Sequence, residues 1–380
     1  MKTLKVTLLI AASLGGLNSA FAQVWTRTGA PTNGWSSVAI STDGSTLAAV
    51  SSTGPIYISI DSGATWSKIS APSNIWYSIA SSADGTKLAA VGTDLTVSHG
   101  QIYTSTNSGT TWTPASGLAP NIYYFSVAGS TNGNKLAAIG GDHTRTNYIY
   151  TSTNSGITWV QSLAPTTNWS CIASSDDGTK LVAVVNSVNI SSGIGGPIYA
   201  STNSGGTWMQ ASAINGQYFV GWQGVASSAD GKKLAAVDVN HVYTSTNSGI
   251  TWTQTIAPGA QWLSVASSAD GGKLAACAPD LFSGGPGSFF TSTNSGANWT
   301  SNSVPGPGLA GFVASTVDGS RFVTGVNSGG GQNLIYILQT TPTLALHIAL
   351  TNGQLVLSWI VPSTNFVLQQ SADLKNWNSV

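Results

Sequence analysis

The decapeptide YTSTNSGITW occupies Tyr150–Trp159 and returns letter for letter at Tyr243–Trp252. Near-copies stand at Tyr103–Trp112 (YTSTNSGTTW) and Tyr199–Trp208 (YASTNSGGTW). A second phrase runs between the copies: WSSVAISTDGSTLAAV from Trp35, WYSIASSADGTKLAAV from Trp76, YFSVAGSTNGNKLAAI from Tyr124 and WSCIASSDDGTKLVAV from Trp169. It continues as WQGVASSADGKKLAAV from Trp222 and WLSVASSADGGKLAAC from Trp262, and ends in a worn copy, FVASTVDGSRFVTGV, from Phe312. The seven copies recur at roughly 40 to 50 residues, the period of a four-stranded propeller blade.

Each unit reads as four short strands. Strand A is the SVAS segment and strand B is KLAAV. An Asp-Gly or Asn-Gly pair turns the chain between them, where positive φ is needed. Strand C is IYTS, NSG turns the chain again, and strand D begins at the Thr-Trp pair. An Ala-Pro pair commonly ends the unit, because proline breaks strand pairing. The seventh copy has strands A, B and C (NLIYIL, Asn333 to Leu338) with no box after them. Its missing strand D stands at the other end of the chain, as VWTRTGAP from Val24, similar to TWTQTIAP from Thr251. The expected fold is therefore all-β, a seven-bladed β-propeller over 23–339 whose last blade is closed by the N-terminal strand. Closure removes the sheet edges that an open array would expose.

Composition agrees. Charged residues are 7% of the 380, the net charge is zero, and no glutamate occurs anywhere. Helix surfaces are rich in Glu, Lys, Ala and Leu, so this chain reads as β. No basic stripe marks it for nucleic acid. Residues 1–22, with Lys2, Lys5, an apolar run and small residues at Ala20 and Ala22, read as a secretory signal peptide, and no other stretch approaches membrane-spanning length. The expectation is an exported, monomeric protein of the cell envelope or the exterior. Cys171 and Cys277 fall on different strand types two blades apart, and two buried free thiols are the plainer reading.

The segment SIDSGATW (Ser59 to Trp66) matches the Asp-box pattern Ser-x-Asp-x-Gly-x-Thr-Trp in full. Five further copies carry Asn107, Asn154, Asn203, Asn247 and Asn294 where Asp61 stands. On these residues the chain resembles the Asp-box (BNR-type) propellers of exported bacterial proteins. That superfamily is shared with sialidases, xyloglucan-cleaving glycosidases, sortilin-type receptors and photosystem assembly factors. The resemblance implies the propeller fold and leaves the activity open. The box itself reads as structural: an Asx oxygen accepts backbone hydrogen bonds, glycine takes positive φ, and tryptophan covers the hairpin. A calcium site needs several charged oxygen ligands, and five of the six boxes are neutral.

In propellers the A–B and C–D turns share one face, and ligands usually meet the other, built from B–C and D–A loops. The turn face carries Lys87, Lys135, Lys180, Lys233, Lys273 and Arg321 at the start of strand B. They read as partners of the turn aspartates in screened ion pairs, with an anion-binding ring as the alternative. The loop face varies most and receives Asp94, Asp142, Asp238, Asp280, His99, His143, His241 and Arg145. The histidines lack close metal-ligand spacing, so no metal or other cofactor is expected. Each D–A loop delivers an aromatic to the start of strand A: Trp35, Trp76, Tyr124, Trp169, Trp222, Trp262 and Phe312, with Tyr218 and Phe219 added in the fifth blade. These rings either pack between blades or stack against sugar faces. With His143 and Arg145 they are the candidate ligand contacts.

Sialidase chemistry needs a Tyr–Glu nucleophile and three converging arginines. This chain has no Glu, and Arg27, Arg145 and Arg321 are assigned to an outer strand, a loop and the opposite face. A glycoside hydrolase acting through paired aspartates, Asp142 and Asp238, is the enzymatic alternative. The leading expectation is a non-catalytic binding or scaffold module for a polysaccharide or an extracytoplasmic protein. Residues 340–380 change pattern, and GQLVLSW and NFVLQQS alternate like strands. They resemble the opening of a small β-sandwich module for sorting or display, whose completion needs further strands after Val380.

Overall fold

In the computed structural model the described residues are 23–340 except 53, 73, 95–98, 143–145, 187–195, 213–220, 279–286, 307–310 and 330–331, together with 346–351, 354–359, 369–370 and 378–379. Residues 1–22, expected from the sequence to be a signal peptide, lie outside them. The chain divides into a compact unit, Val24–Gln339, and a second comprising Met1–Gln23 and Thr340–Val380. In the second, Leu346–Thr351 and Gln354–Trp359 form an antiparallel pair.

The first unit is a seven-bladed propeller of four-stranded antiparallel sheets. Blade 1 is Trp35–Ile40, Leu47–Ser51, Tyr57–Ser59 and Ser67–Lys68, in that order from strand A to strand D. Blades 2 to 6 repeat the order with strands A at Asn74–Ser81, Tyr123–Gly129, Trp169–Ser174, Trp222–Ser227 and Ser264–Ser267. Blade 7 is Val313–Ser315, Arg321–Gly329 and Gln332–Thr340, with Gln23–Arg27 as its outermost strand. The closure read from the Val24 segment is thus present, and Thr28 N–H donates to the Ile335 carbonyl at 3.0 Å to continue it. No helix among the described residues is long and apolar enough to cross a membrane.

Strand B explains the KLAAV phrase. In blade 1 every residue of Leu47–Ser51 is buried. Leu47 and Ala49 pack toward blade 7, while Ala48 and Val50 pack toward blade 2. A strand covered on both faces has no solvent side to alternate with, so it reads as a continuous apolar run. The serines of strand A link the blades: backbone N–H groups of Ile79, Val127, Ile172 and Val313 donate to the hydroxyls of Ser37, Ser78, Ser126 and Ser264 in the preceding blade, at 3.2–3.4 Å. At the turn face the A–B turns are also joined by backbone hydrogen bonds: Thr42 to Ala83, Ala83 to Thr131, Thr131 to Asp176, Asp176 to Ala229, Ala229 to Ala269 and Ala269 to Val317, at 2.7–2.9 Å.

Candidate functional site

The turn face is built from the repeated residues, and its chemistry is internal. In the first box Asp61 Oδ1 accepts from Ser59 Oγ (2.7 Å) and from Thr65 N–H (2.9 Å), and Oδ2 accepts from Thr65 Oγ1 (2.5 Å). Asn154 keeps the same Oδ1 contacts, to Ser152 Oγ (2.9 Å) and Thr158 N–H (3.0 Å), while its Nδ2 donates to Thr158 Oγ1 at 2.8 Å. The threonine hydroxyl is a donor in one box and an acceptor in the other. That reversibility lets Asp and Asn share the position. Gly63 (φ 87°) and Ser62 (φ 58°) both take left-handed backbone, and the Trp66 indole donates to the Gly63 carbonyl at 3.1 Å.

The turn aspartates are held the same way. Ser hydroxyls and backbone N–H groups donating to Asp43, Asp84 and Asp177 lower each carboxyl to a pKa of about 2. Their basic neighbours mostly do something other than the expected pairing. Lys135 Nζ reaches Ser204 Oγ (3.3 Å), Lys233 Nζ reaches Ser295 Oγ (3.4 Å) and Arg321 reaches Ser62 Oγ (3.3 Å), each in the box of the next blade. Lys180 Nζ donates to the Asp230 carbonyl of the next blade at 2.7 Å. Among the described residues the turn face has one ion pair, Lys232–Asp230 at 3.7 Å, exposed on both sides. The lysines are staples between blades. Each stem also lies under the next turn glycine: a Cβ on Gly231 (φ 63°) would meet Lys180 Cδ at 2.8 Å.

On the loop face the seven ring aromatics are in the core. Trp76, Tyr124 and Trp262 are 0% exposed, Trp169 and Trp222 1%, Trp35 3% and Phe312 8%. Six of them meet the aromatic of strand C edge-on, as Trp76 meets Tyr103 at 5.7 Å and Trp169 meets Tyr199 at 5.2 Å. Four also pack on the box tryptophan, as Trp169 does on Trp208 at 6.1 Å. In blades 1 to 5 a bulge follows the aromatic directly, between Trp35 and Ser37 in the first. A bulge bends the strand and re-aims its side chains. The packed alternative read from the sequence is therefore the arrangement present, and none of these rings offers a flat face to solvent.

Asp238 is 0% exposed. Its Oδ1 accepts from the N–H groups of Asn240 (2.7 Å) and His241 (2.5 Å), and Oδ2 lies 3.5 Å from His241 Nδ1. It caps a tight B–C turn. The signal was local and readable: Asp-Val-Asn-His is short enough for an Asx turn. Asp142 is half-buried in the B–C segment of blade 3, where its N–H donates to the Thr146 carbonyl at 3.2 Å. Among the described residues no hydrogen bond or ion pair is shared between Asp142 and Asp238. Asp94 and His99 face each other across the strand pair of blade 2, beside the buried Asn74. Burial, with Asp94 adding repulsion, pushes the neighbouring Tyr103 phenol up. His143, Arg145, Asp280, Tyr218 and Phe219 lie outside the described residues. Among the described residues no three His, Cys or Asp side chains group as metal ligands. Cys171 and Cys277 are free, and burial pushes the Cys277 thiol up to about 12.

No protein-family model matches the chain, and no curated protein matches it in sequence. Solved structures share its fold. YCF48 from Cyanidioschyzon merolae superposes with a TM-score of 0.59 at 15% identity, over 83% of this chain and 98% of that one. An ancestral GH74 enzyme gives 0.56 at 15% identity over 88% of this chain, which spans 50% of the enzyme. The GH74 xyloglucanase from Xanthomonas campestris gives 0.44 at 15% identity, over 80% of this chain and 56% of that one. At these identities the likeness is one of fold.

Proposed function

We propose that the chain is an exported, non-catalytic binding scaffold that recognises an extracytoplasmic protein through its B–C and D–A loops. The observation that carries this reading is the burial of all seven ring aromatics, 0–8% exposed. They hold the blades together, which leaves varied polar loops on a rigid ring as the recognition surface. A sugar-stacking platform needs exposed ring faces, so a polysaccharide ligand has less support. The hydrolase alternative, in which Asp142 and Asp238 act as acid and base, has to use an Asp238 whose oxygens already hold a turn. A general acid or base must reach the proton it transfers.

The test is binding of the fluorescently labelled full-length chain to isolated cell envelopes. Saturable binding that survives enzymatic removal of polysaccharide and is lost after protease treatment is the expected result. Loss on polysaccharide removal identifies a glycan ligand. Release of reducing sugar by the chain alone, abolished in Asp142→Asn, establishes the hydrolase.

A further inference from the structure

The central channel opens at the turn face into a cavity of about 180 Å³. Ser82 and Thr316 are in its lining, with their hydroxyls donating to the turn carboxylates of Asp84 and Asp318. Apart from these two, each blade contributes one oxygen-bearing side chain: Thr42, Ser81, Thr131, Ser227, Ser267 and Ser315, and in blade 4 Asp176. Every one of the six hydroxyls already donates its proton to a backbone carbonyl. Thr42 donates to Ala83 (3.1 Å), Thr131 to Asp176 (2.8 Å), and the four serines each to the carbonyl of the next residue (2.9 Å). A hydroxyl has one donor and two lone pairs, so these six retain only acceptor capacity. No lysine or arginine lines the cavity. Among the described residues no ion pair or hydrogen bond engages the Asp176 carboxylate, and its neighbour Asp177 bonds instead to Ser175 and Thr179.

In blades 2, 5, 6 and 7 the serine that ends strand A, Ser81, Ser227, Ser267 or Ser315, lines the mouth; blade 4 also ends strand A in serine, Ser174, but there Asp176 lines the mouth instead. Where it ends in Ile40 or Gly129, a threonine two residues later, Thr42 or Thr131, takes its place. Blade 4 alone puts a charge there, as the first member of an Asp-Asp pair.

We propose that this ring of oxygens is a binding site for a small monovalent cation, with Asp176 as its single counter-charge. Rings of neutral oxygens replace part of the hydration shell of such ions. One carboxylate matches one positive charge, whereas calcium calls for several charged ligands. Desolvation, followed by repulsion from Asp177, raises the Asp176 carboxyl above its ordinary value. A cation in the cavity supplies the missing opposite charge and reverses that direction. The positive charge has two sources, a free alkali ion or the ammonium of a lysine from a partner.

The experiment compares thermal unfolding of the full chain in sodium, potassium and methylammonium chloride with choline chloride at equal ionic strength. A bound cation raises Tm by on the order of 3 °C at a tenfold excess over its Kd. The equivalent ring positions hold Thr42, Ala83, Thr131, Ala229, Ala269 and Val317, so Asp176→Ala keeps a side chain this fold already accepts there. Asp176→Ala is expected to abolish the difference. Carbon NMR of the Asp176 carboxyl is expected to show its pKa falling when the effective ion replaces choline. A response to sodium or potassium assigns a free ion, and a response to methylammonium alone assigns a lysine. Equal Tm in all four salts, or an ion-dependent difference that persists in Asp176→Ala, overturns the proposal.

Discussion

The two ends of the propeller are built on opposite principles. At the turn face the same residues recur in blade after blade and engage one another: box Asx with Ser and Thr, turn Asp with Ser, lysine with the next blade's serine or turn carbonyl. At the loop face the segments differ in length and sequence, and what recurs there, the aromatic ring, is buried. Repetition in this molecule marks what seven blades need in common, which is packing. Departures from the repeat, such as Asp176, Asp238 and His99, are where one blade does something the others do not.

The strongest way to break this contrast is to truncate a ring aromatic. Trp169→Ala removes a side chain that is 1% exposed and packed on Tyr199 and Trp208. The expected loss is about 3–5 kcal/mol in denaturant unfolding. A loss below about 1 kcal/mol would move Trp169 from packing to the surface. Next in size is Gly231→Ala, which combines φ 63° with a Cβ 2.8 Å from the Lys180 stem. It is expected to cost about 1–3 kcal/mol, and Lys180→Ala in the same chain should recover part of it.

Acid probes the turn face as a whole. The carboxyls of Asp43, Asp84 and Asp177 titrate near 2 when folded, against about 3.9 unfolded. Because the folded value is the lower one, their stabilisation is complete above pH ~4 and is lost as pH falls toward 2. Urea midpoints should therefore hold between pH 7 and 5 and drop between pH 4 and 2. Asp43→Asn should flatten that drop slightly, and an unchanged profile in a triple Asn variant would contradict the assignment. The smallest effect sharpens the comparison most: Asn154→Asp and Asp61→Asn should each shift stability by less than about 0.5 kcal/mol. Asn154→Ala, which removes the acceptor, should cost about 1 kcal/mol in the same melts.

The architecture was legible because it is written seven times. The strand order, the closure by the Val24 segment and the box turns follow from periodicity and turn chemistry within one unit. What escaped was interaction between units. Lys135 meets Ser204, 69 residues away, and nothing inside one repeat distinguishes that contact from a pair with the turn aspartate. The left-handed Ser62 (φ 58°) and the bulge after Trp35 were hidden too: both lie within one blade, but neither residue type marks a break in regular backbone. The oxygen ring at the channel mouth required the ring itself, because Thr42 and Ser81 occupy different repeat positions and converge only through curvature.

The central claim, that repeated residues build the ring and the loop face meets the partner, is tested most directly within blade 5. Asn240 and Lys232 are exposed at its two ends, one in the B–C loop and the other in the A–B turn. A photo-activated cross-linker placed at each, in the full-length chain produced in intact cells, reports which end has a neighbour. The account expects a discrete protein adduct from Asn240, and none from Lys232 where the turn-face cavity holds a free ion. An adduct from Lys232 with none from Asn240 would put recognition on the repeated face and contradict it.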